Sequence, residues 1–344
     1  MHRYRSTLLA AGCALSLSSL PALAAAPLPR YHVAPGTVAV SGVSSGGYMA
    51  VQLHVAYSGT FGRGAAVFAG GPYECAGGKA LKAVTECMSA VPAAPKVEDS
   101  IRITDERATA GSIDAPANLA KSQVYLFSGR NDKVVRTAVM DVLNAYYRHY
   151  MPAANVVYDN STPATHAWVT PLGPQKCEKL GRLFLNNCGI DPVQTFLTQF
   201  YGPLQARNGG SALRGSLIEF DQKEFLDDRQ PAEHSLADSG WAFVPADCAA
   251  GAACKAVVAL HGCLQDHAKV GDNFIRRSGL NEWADTNRIV VLYPQTISKA
   301  LKNPNGCWDW WGYDDPDYAT KQGRQMRAVK GMVDRITGAA GPAK

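Results

Sequence analysis

Several motifs are missing from this sequence, and each absence removes a class of function. Neither GxGxxG nor GxxxxGK[ST] occurs, so the glycines do not form a recognisable dinucleotide or nucleoside-triphosphate cradle, and no cofactor is expected. Neither CxxC nor HExxH occurs, so cysteine and histidine spacing gives no zinc signature and no metal is expected. Charged residues make up 18% of the chain, and no basic stripe interleaves with aromatics, so nucleic acid is not expected as a partner. No low-complexity tract, internal repeat or Pro/Ser/Thr-rich linker is visible. A chain of 344 residues that is 47% hydrophobic therefore reads as one large domain with a substantial core.

The N-terminus reads as a leader. Arg3 and Arg5 precede an apolar run that ends at Leu20, and Pro21 and the small residues Ala22 and Ala24 suit cleavage after Ala24. The run is too short for a membrane span. A lipoprotein reading at Cys13 is the alternative, but the apolar stretch before it is very short. Residues 1–24 are therefore set aside as a signal peptide, with 25–344 as a single domain that is expected to be secreted or periplasmic. Removing the leader lowers the net charge from +5 to +3, a mild excess.

Eight cysteines remain, an even number that suits an oxidising compartment and disulfides. Proximity pairs Cys75 with Cys87, Cys177 with Cys188 and Cys248 with Cys254. Cys263 is left for Cys307.

Short apolar runs between turn residues mark eight strands. Four lie at 37–40, 64–70, 123–129 and 155–160, and four at 213–220, 240–245, 255–262 and 288–294. Helical patterns follow the first and third strands, precede the eighth and close the chain. That alternation predicts an α/β fold with a mostly parallel sheet and helices on both faces. Residues 71–122 form a long insertion that is expected to cap the sheet.

The stretch "TVAVSGVSSGGYMA", 37–50, is where the chemistry begins. Its "GVSSG" fits GxSxG only with Ser44 at the centre. A nucleophilic serine on a sharp strand-to-helix turn needs small neighbours, so that strand and helix can approach closely. The helix N-terminus beneath it favours developing negative charge. The rival reading is a plain glycine-rich turn or a phosphate-binding one.

A serine hydroxyl needs a base, and the base needs an orienting acid. Asp132 in "SGRNDKVV" follows the third strand, and His166 in "ATHAW" follows the fourth. Asp159 is a nearby competitor for the acid. His54, on the helix after the turn, reads as packing or surface. The oxyanion of a tetrahedral intermediate needs two backbone N–H donors. Ser45 supplies one, but almost nothing lies upstream of Ser44 to supply the other. The third strand of the second half ends in "ALHGCLQ", which places Cys263 at the second donor position, with His261 shaping the loop. A catalytic thiol at Cys263 beside His261 is the competing reading. In "NGCWDWWGY", Trp308, Trp310, Trp311 and Tyr313 are dense for a polar region and are candidate substrate contacts, with core packing as the alternative.

Taken in order, "GVSSGGYMA", "SGRNDKVV", "ATHAW", "LHGC" and "NGCWDWWGY" resemble the poly(3-hydroxybutyrate) depolymerases whose lipase box precedes the oxyanion loop. The resemblance spans about 35–335. It implies a circularly permuted α/β-hydrolase, strands running 5-6-7-8-1-2-3-4, with Ser44, Asp132 and His166 as triad and Ser45 and Cys263 as oxyanion hole. It also implies ester hydrolysis without metal or cofactor on a polyester or oligoester substrate, by a chain expected to be a monomer. Many secreted members carry a linker and a separate polymer-binding domain, and neither is expected here. A feruloyl or acetylxylan esterase is the alternative enzyme, and a non-catalytic binder on a hydrolase scaffold the alternative outside enzymes.

Overall fold

A computed structural model describes residues 25–209 and 212–339. The leader read at 1–24 lies outside the described residues. Eight strands form one sheet: β1 (Val33–Val43), β2 (Gly64–Phe68), β3 (Gln123–Phe127), β4 (Val156–Asp159), β5 (Ser216–Asp221), β6 (Ser239–Val244), β7 (Cys254–Leu260) and β8 (Ile289–Tyr293). Their order across the sheet is β4-β3-β2-β1-β7-β8-β6-β5. All pairs are parallel except those made by β6, which runs against both β8 and β5.

Counting the second-half strands as 1–4 and the first-half strands as 5–8, the sheet reads 1-2-4-3-5-6-7-8 from the β5 edge. This is the α/β-hydrolase sheet with its chain opened between strands 4 and 5. The seam is β1 against β7, in register from Val38 opposite Ala256 to Gly42 opposite Leu260. Opening a chain elsewhere is tolerated because contacts, not connectivity, carry most of the stability.

The central strands are apolar on both faces because helices cover both. On one side α1 (Ser45–Ala56), α3 (Thr137–Tyr150) and the C-terminal α6 (Arg324–Thr337) bury Met49, Leu53, Leu143, Tyr147 and Met332 against Val40, Val67 and Val258. On the other, α4 (Pro192–Tyr201) and α5 (Leu280–Asn287) bury Phe196, Phe200 and Trp283 with Phe68, Trp168 and Val257. Every residue of α1 is buried, which is why the helix after the elbow has no polar face.

The insertion divides in two. Its first part is closed by Cys75–Cys87 and packs on Tyr48 and Trp310. Its second part is α2 (Val97–Thr109), which lies along α3 through Thr104 Oγ1 to Tyr146 Oη at 2.8 Å. Short strands at Trp168–Val169, Gln175–Lys176 and Leu185–Asn187 form a small separate sheet beside the loop after β4. The disulfides are Cys75–Cys87, Cys177–Cys188, Cys248–Cys254 and Cys263–Cys307, the pairing that proximity predicts. Among the described residues no helix is long and apolar enough to cross a membrane.

Candidate active site

Ser44 sits between β1 and α1 at φ 57°, ψ −123°, a backbone conformation that L-residues rarely adopt. Two bonds hold the turn: Ser44 N–H donates to Phe68 O at 2.9 Å, and Tyr48 N–H starts the helix on Ser44 O at 3.0 Å. The flanking glycines are steric necessities. A Cβ on Gly42 would lie 2.1 Å from Gly46 O, and one on Gly46 would lie 2.3 Å from Leu260 O and 2.4 Å from His261 O. The GxSxG pattern thus records two backbone approaches, one within the elbow and one between the elbow and the end of β7.

Asp132 and His166 come from the loops after β3 and β4. These loops are zipped together by Arg130 N–H to Thr162 O (2.8 Å) and Asn131 N–H to Ala164 O (3.0 Å). Gly129 permits the contact, since a Cβ there would fall 2.3 Å from Ala164 O. Asp132 Oδ1 accepts Val134 N–H at 2.8 Å and Val135 N–H at 3.0 Å. Its other oxygen, Oδ2, meets His166 Nδ1 at 2.7 Å. Both side chains are buried. An ionised Asp132 therefore holds His166 with its proton on Nδ1, which leaves Nε2 free to accept one. Asp159, the competing acid, instead caps its own turn through Ser161 N–H at 3.0 Å and the Thr162 hydroxyl.

The loop after β7 lies against the elbow. A Cβ on Gly262 would be 3.1 Å from Ser44 Cβ and 3.3 Å from Val43 O. Gln265 Oε1 takes the Gly262 N–H at 2.8 Å, while Gln265 Nε2 donates to Leu183 O at 2.7 Å. Cys263 follows, bridged to Cys307 and so unavailable as a thiol. Ser45 is the first residue of α1. Gln265 and Gly129 were not singled out in the sequence. Their partners lie 82 and 35 residues away, and neither spacing leaves a local signal.

The aromatic loop divides. Trp308 is fully buried and donates its indole N–H to His261 O at 3.0 Å. Trp310 is nearly buried and stacks on Tyr48, with ring centroids 4.0 Å apart. Tyr313 is half-buried, and its hydroxyl is occupied by Cys307 O at 2.8 Å and Asn303 Nδ2 at 2.9 Å. Trp311 is half-buried, edge-on to Trp310. The turn is shaped by Asp309, which gathers the N–H groups of Gly312, Tyr313, Asp314 and Asp315. Burial pushes the Asp309 carboxyl up to about 7 in opposition to those four donors.

A cavity of about 310 Å³ is lined by Asn131, Lys133, Val134, Thr165, His166, Glu178 and Leu180. A larger groove of about 1250 Å³ runs between α2 and α3, lined by Ile101, Arg102 and His149 among others. It includes none of Ser44, Asp132, His166 or Cys263.

No family model matches the chain. A poly(3-hydroxybutyrate) depolymerase of Delftia acidovorans is 46% identical over 335 residues, spanning 96% of this chain and 66% of the relative. A polyhydroxybutyrate depolymerase of Talaromyces funiculosus is 38% identical over 329 residues, spanning 91% of this chain and 93% of the relative. Among solved structures, the PHB depolymerase of Penicillium funiculosum superposes with a TM-score of 0.82 at 36% identity, covering 91% of this chain and 99% of that one. A serine-to-alanine PHB depolymerase complexed with an R3HB trimer matches with the same TM-score and coverage at 35% identity. The residue pattern, the opened sheet and these relatives agree: the chain belongs to the poly(3-hydroxybutyrate) depolymerase family.

Proposed function

We propose that the protein is a secreted or periplasmic serine esterase that hydrolyses poly(3-hydroxybutyrate) or hydroxyalkanoate oligomers through an acyl-enzyme. Ser44 Oγ attacks the ester carbonyl and passes its proton to His166 Nε2, while Asp132 holds the resulting imidazolium in place. The negative charge that forms on the carbonyl oxygen is met by the N–H groups of Ser45 and Cys263. Collapse of the intermediate breaks the bond to the alcohol oxygen. That oxygen takes the proton from His166 and leaves as the hydroxyl end of the departing chain. The acyl group stays on Ser44 as an ester. Water then attacks this ester and gives a proton to His166, which passes it to Ser44 Oγ as the acyl bond breaks, so that the carboxylic acid leaves and Ser44 is restored.

The observation that carries this reading is the 2.7 Å contact of His166 with Asp132, on loops that leave the same edge of the parallel strands β1 to β4 as the strained Ser44 turn. The trimer bound by a solved relative supports the substrate class. The cavity beside His166 and the half-buried Trp311 are the surfaces assigned to the substrate chain. The domain is taken to span 25–344 after a leader at 1–24, and to act as a monomer. Four disulfides support an exported protein.

Ser44→Ala tests the assignment. Loss of turnover on polymer film, hydroxybutyrate trimer and p-nitrophenyl butyrate by roughly 10⁴-fold or more is expected. Unchanged hydrolysis refutes it. On the wild-type protein, faster release from methyl ferulate than from film and trimer replaces the polyester reading with a feruloyl esterase.

A further inference from the structure

His261 is fully buried, its ring is hydrogen-bonded to Gly262 and Thr296 and not to Asp132 or His166, and the reaction scheme above gives it no step. Its hydrogen bonds nevertheless surround the proposed oxyanion donor. Nδ1 lies 2.7 Å from Gly262 O, and Nε2 lies 3.2 Å from Thr296 N. Thr296 N–H can only donate, so Nε2 must accept. The Thr296 hydroxyl gives its own hydrogen to Gly306 O at 2.6 Å and brings Nε2 no further proton. The ring is therefore neutral with its proton on Nδ1, and that proton is donated to the Gly262 carbonyl. Burial lowers the imidazole to about 4, which keeps it neutral at ordinary pH.

The Gly262 carbonyl belongs to the same peptide group as the Cys263 N–H. Among the described residues the one cis peptide is Val91–Pro92, so this group is trans. In a trans peptide the C=O and N–H point in opposite directions. A carbonyl fixed on the His261 ring therefore sends the Cys263 N–H away from that ring. Beside the Gly262 Cα stands Ser44. Glycine offers little resistance to rotation of the adjoining peptide, so without an anchor the group could turn over and present oxygen instead of N–H.

We propose that His261 is a positioning residue of the oxyanion hole, aiming the Cys263 N–H at the reacting carbonyl by holding the Gly262 carbonyl on its Nδ1–H. The inference rests on the oxyanion role given to Cys263 above. Three further contacts hold the anchor still. Trp308 binds the His261 carbonyl, Gln265 takes the Gly262 N–H, and the Cys263–Cys307 bridge fixes the next side chain. The backbone group is thus fixed on every side before substrate arrives, the condition under which such a donor is most effective.

Two near-isosteric variants separate positioning from packing. His261→Asn keeps an N–H at the Nδ1 position. His261→Gln keeps a polar atom near Nε2 and loses the donor to Gly262. On p-nitrophenyl butyrate, Gln should lower kcat by about 10- to 100-fold with KM within about twofold, because the misaimed Cys263 N–H would otherwise bond the oxyanion, which forms only in the transition state. The Ki of an alkyl trifluoromethyl ketone, which mimics the tetrahedral oxyanion, should rise by the same factor as kcat/KM falls. Asn should stay within about threefold of wild type in all three. Full kcat in the Gln variant, or an Asn variant as damaged as Gln, overturns the positioning role.

The oxyanion assignment is tested separately by Cys263→Pro against Cys263→Ala, both in a Cys307→Ala background, since only proline removes the N–H. If Pro is as active as Ala and binds the ketone equally, the Cys263 assignment falls and the inference with it. If Pro loses activity while the Gln variant does not, only the inference falls. Should the Gln variant not fold, ¹⁵N-histidine NMR of the wild-type protein decides. Protonated Nδ1 and bare Nε2 at His261 support the inference, and the reverse tautomer overturns it.

Discussion

β1, β3 and β4, before residue 160, lead to the side chains of the proposed triad, whereas β7, after residue 212, leads to a proposed backbone donor. The chain passes from β1 directly into Ser44, and from β3 and β4 into the loops of Asp132 and His166, the proposed triad, whose oxygen and nitrogen atoms sit on rotatable bonds. β7 ends at Leu260 and leads into Gly262 and Cys263, whose proposed contribution is one amide. The two halves also fix their groups differently. Asp132 is held by hydrogen bonds within its own loop, Val134 and Val135 N–H. The Gly262–Cys263 peptide is held by long-range partners, including Trp308, Leu183 through Gln265, and Cys307. A side chain with one or two rotatable bonds can relax into position when substrate binds. A peptide beside glycine can turn over and present its oxygen instead of its N–H, so its support has to be built in advance.

The largest effect expected from breaking this arrangement is at Asp132. In Asp132→Asn the carbonyl oxygen should keep Val134 and Val135 N–H, which turns the amide NH₂ toward His166 Nδ1. The ring must then accept at Nδ1 and carry its proton on Nε2, where it cannot take one from Ser44. A fall in kcat of about 10⁴-fold with little change in thermal stability is expected, read from p-nitrophenyl butyrate kinetics and a melting curve. The same change at His261 is expected to be nearly silent. The contrast between two Asn variants therefore measures how differently the two halves act. A mild Asp132→Asn would remove that contrast.

How far the site was legible in the sequence follows the same division. The elbow could be read because its steric demands fall on adjacent residues: Gly42 and Gly46 are glycines because backbone atoms stand where Cβ would be. Asp132 and His166 could be read from their order on successive strand ends. The start of β1 was read too late. Val33 already pairs with Cys254, and the register shifts between Val33 and Val38, around a Pro-Gly pair that resembles a turn. The strands of two or three residues between 168 and 187 carry too few positions to show alternation. For Trp308 and Trp310, composition marked an aromatic loop but could not say which rings face inward, since that depends on Tyr48 and His261 far away in the chain.

A smaller effect separates two disulfides of the second half. Cys263 and Cys307 are 44 residues apart, Cys248 and Cys254 only 6. Loop-closure entropy assigns about 4 kcal/mol to the longer bridge and about 2 kcal/mol to the shorter. Replacing Cys263 and Cys307 by alanine should therefore lower the urea midpoint more than replacing Cys248 and Cys254. It should also depress kcat, because the longer bridge reaches the oxyanion loop. The shorter one closes a turn before β7, at the far end of that strand, and its removal should leave kcat unchanged. Equal kcat losses would mean that the longer bridge has no special connection to the site.

The smallest effect compares two buried histidines. His54, on α1, donates Nε2–H to Ser122 Oγ at 2.9 Å and accepts the Tyr147 hydroxyl on Nδ1 at 3.1 Å. The Ser122 hydroxyl gives its own hydrogen to Leu119 O, which fixes this assignment. Burial lowers His54 from 6.5 to about 3, so the folded protein keeps it neutral while the unfolded chain protonates it below 6.5. Its contribution is complete above pH 6.5 and declines as pH falls toward 3, by about 1.4 kcal/mol per unit. His261 declines in the same direction from 6.5 to about 4. His54→Gln removes one of these two proton uptakes, so urea unfolding at pH 7.0 and 5.5 should show a shallower acid loss than wild type by about 1.4 kcal/mol. Activity of the folded variant should not change, because His54 lies in the last turn of α1, at the other end of the helix from Ser44. An unaltered acid slope would mean that His54 is already protonated in the fold. The Ser122 and Tyr147 contacts would then have to be reassigned.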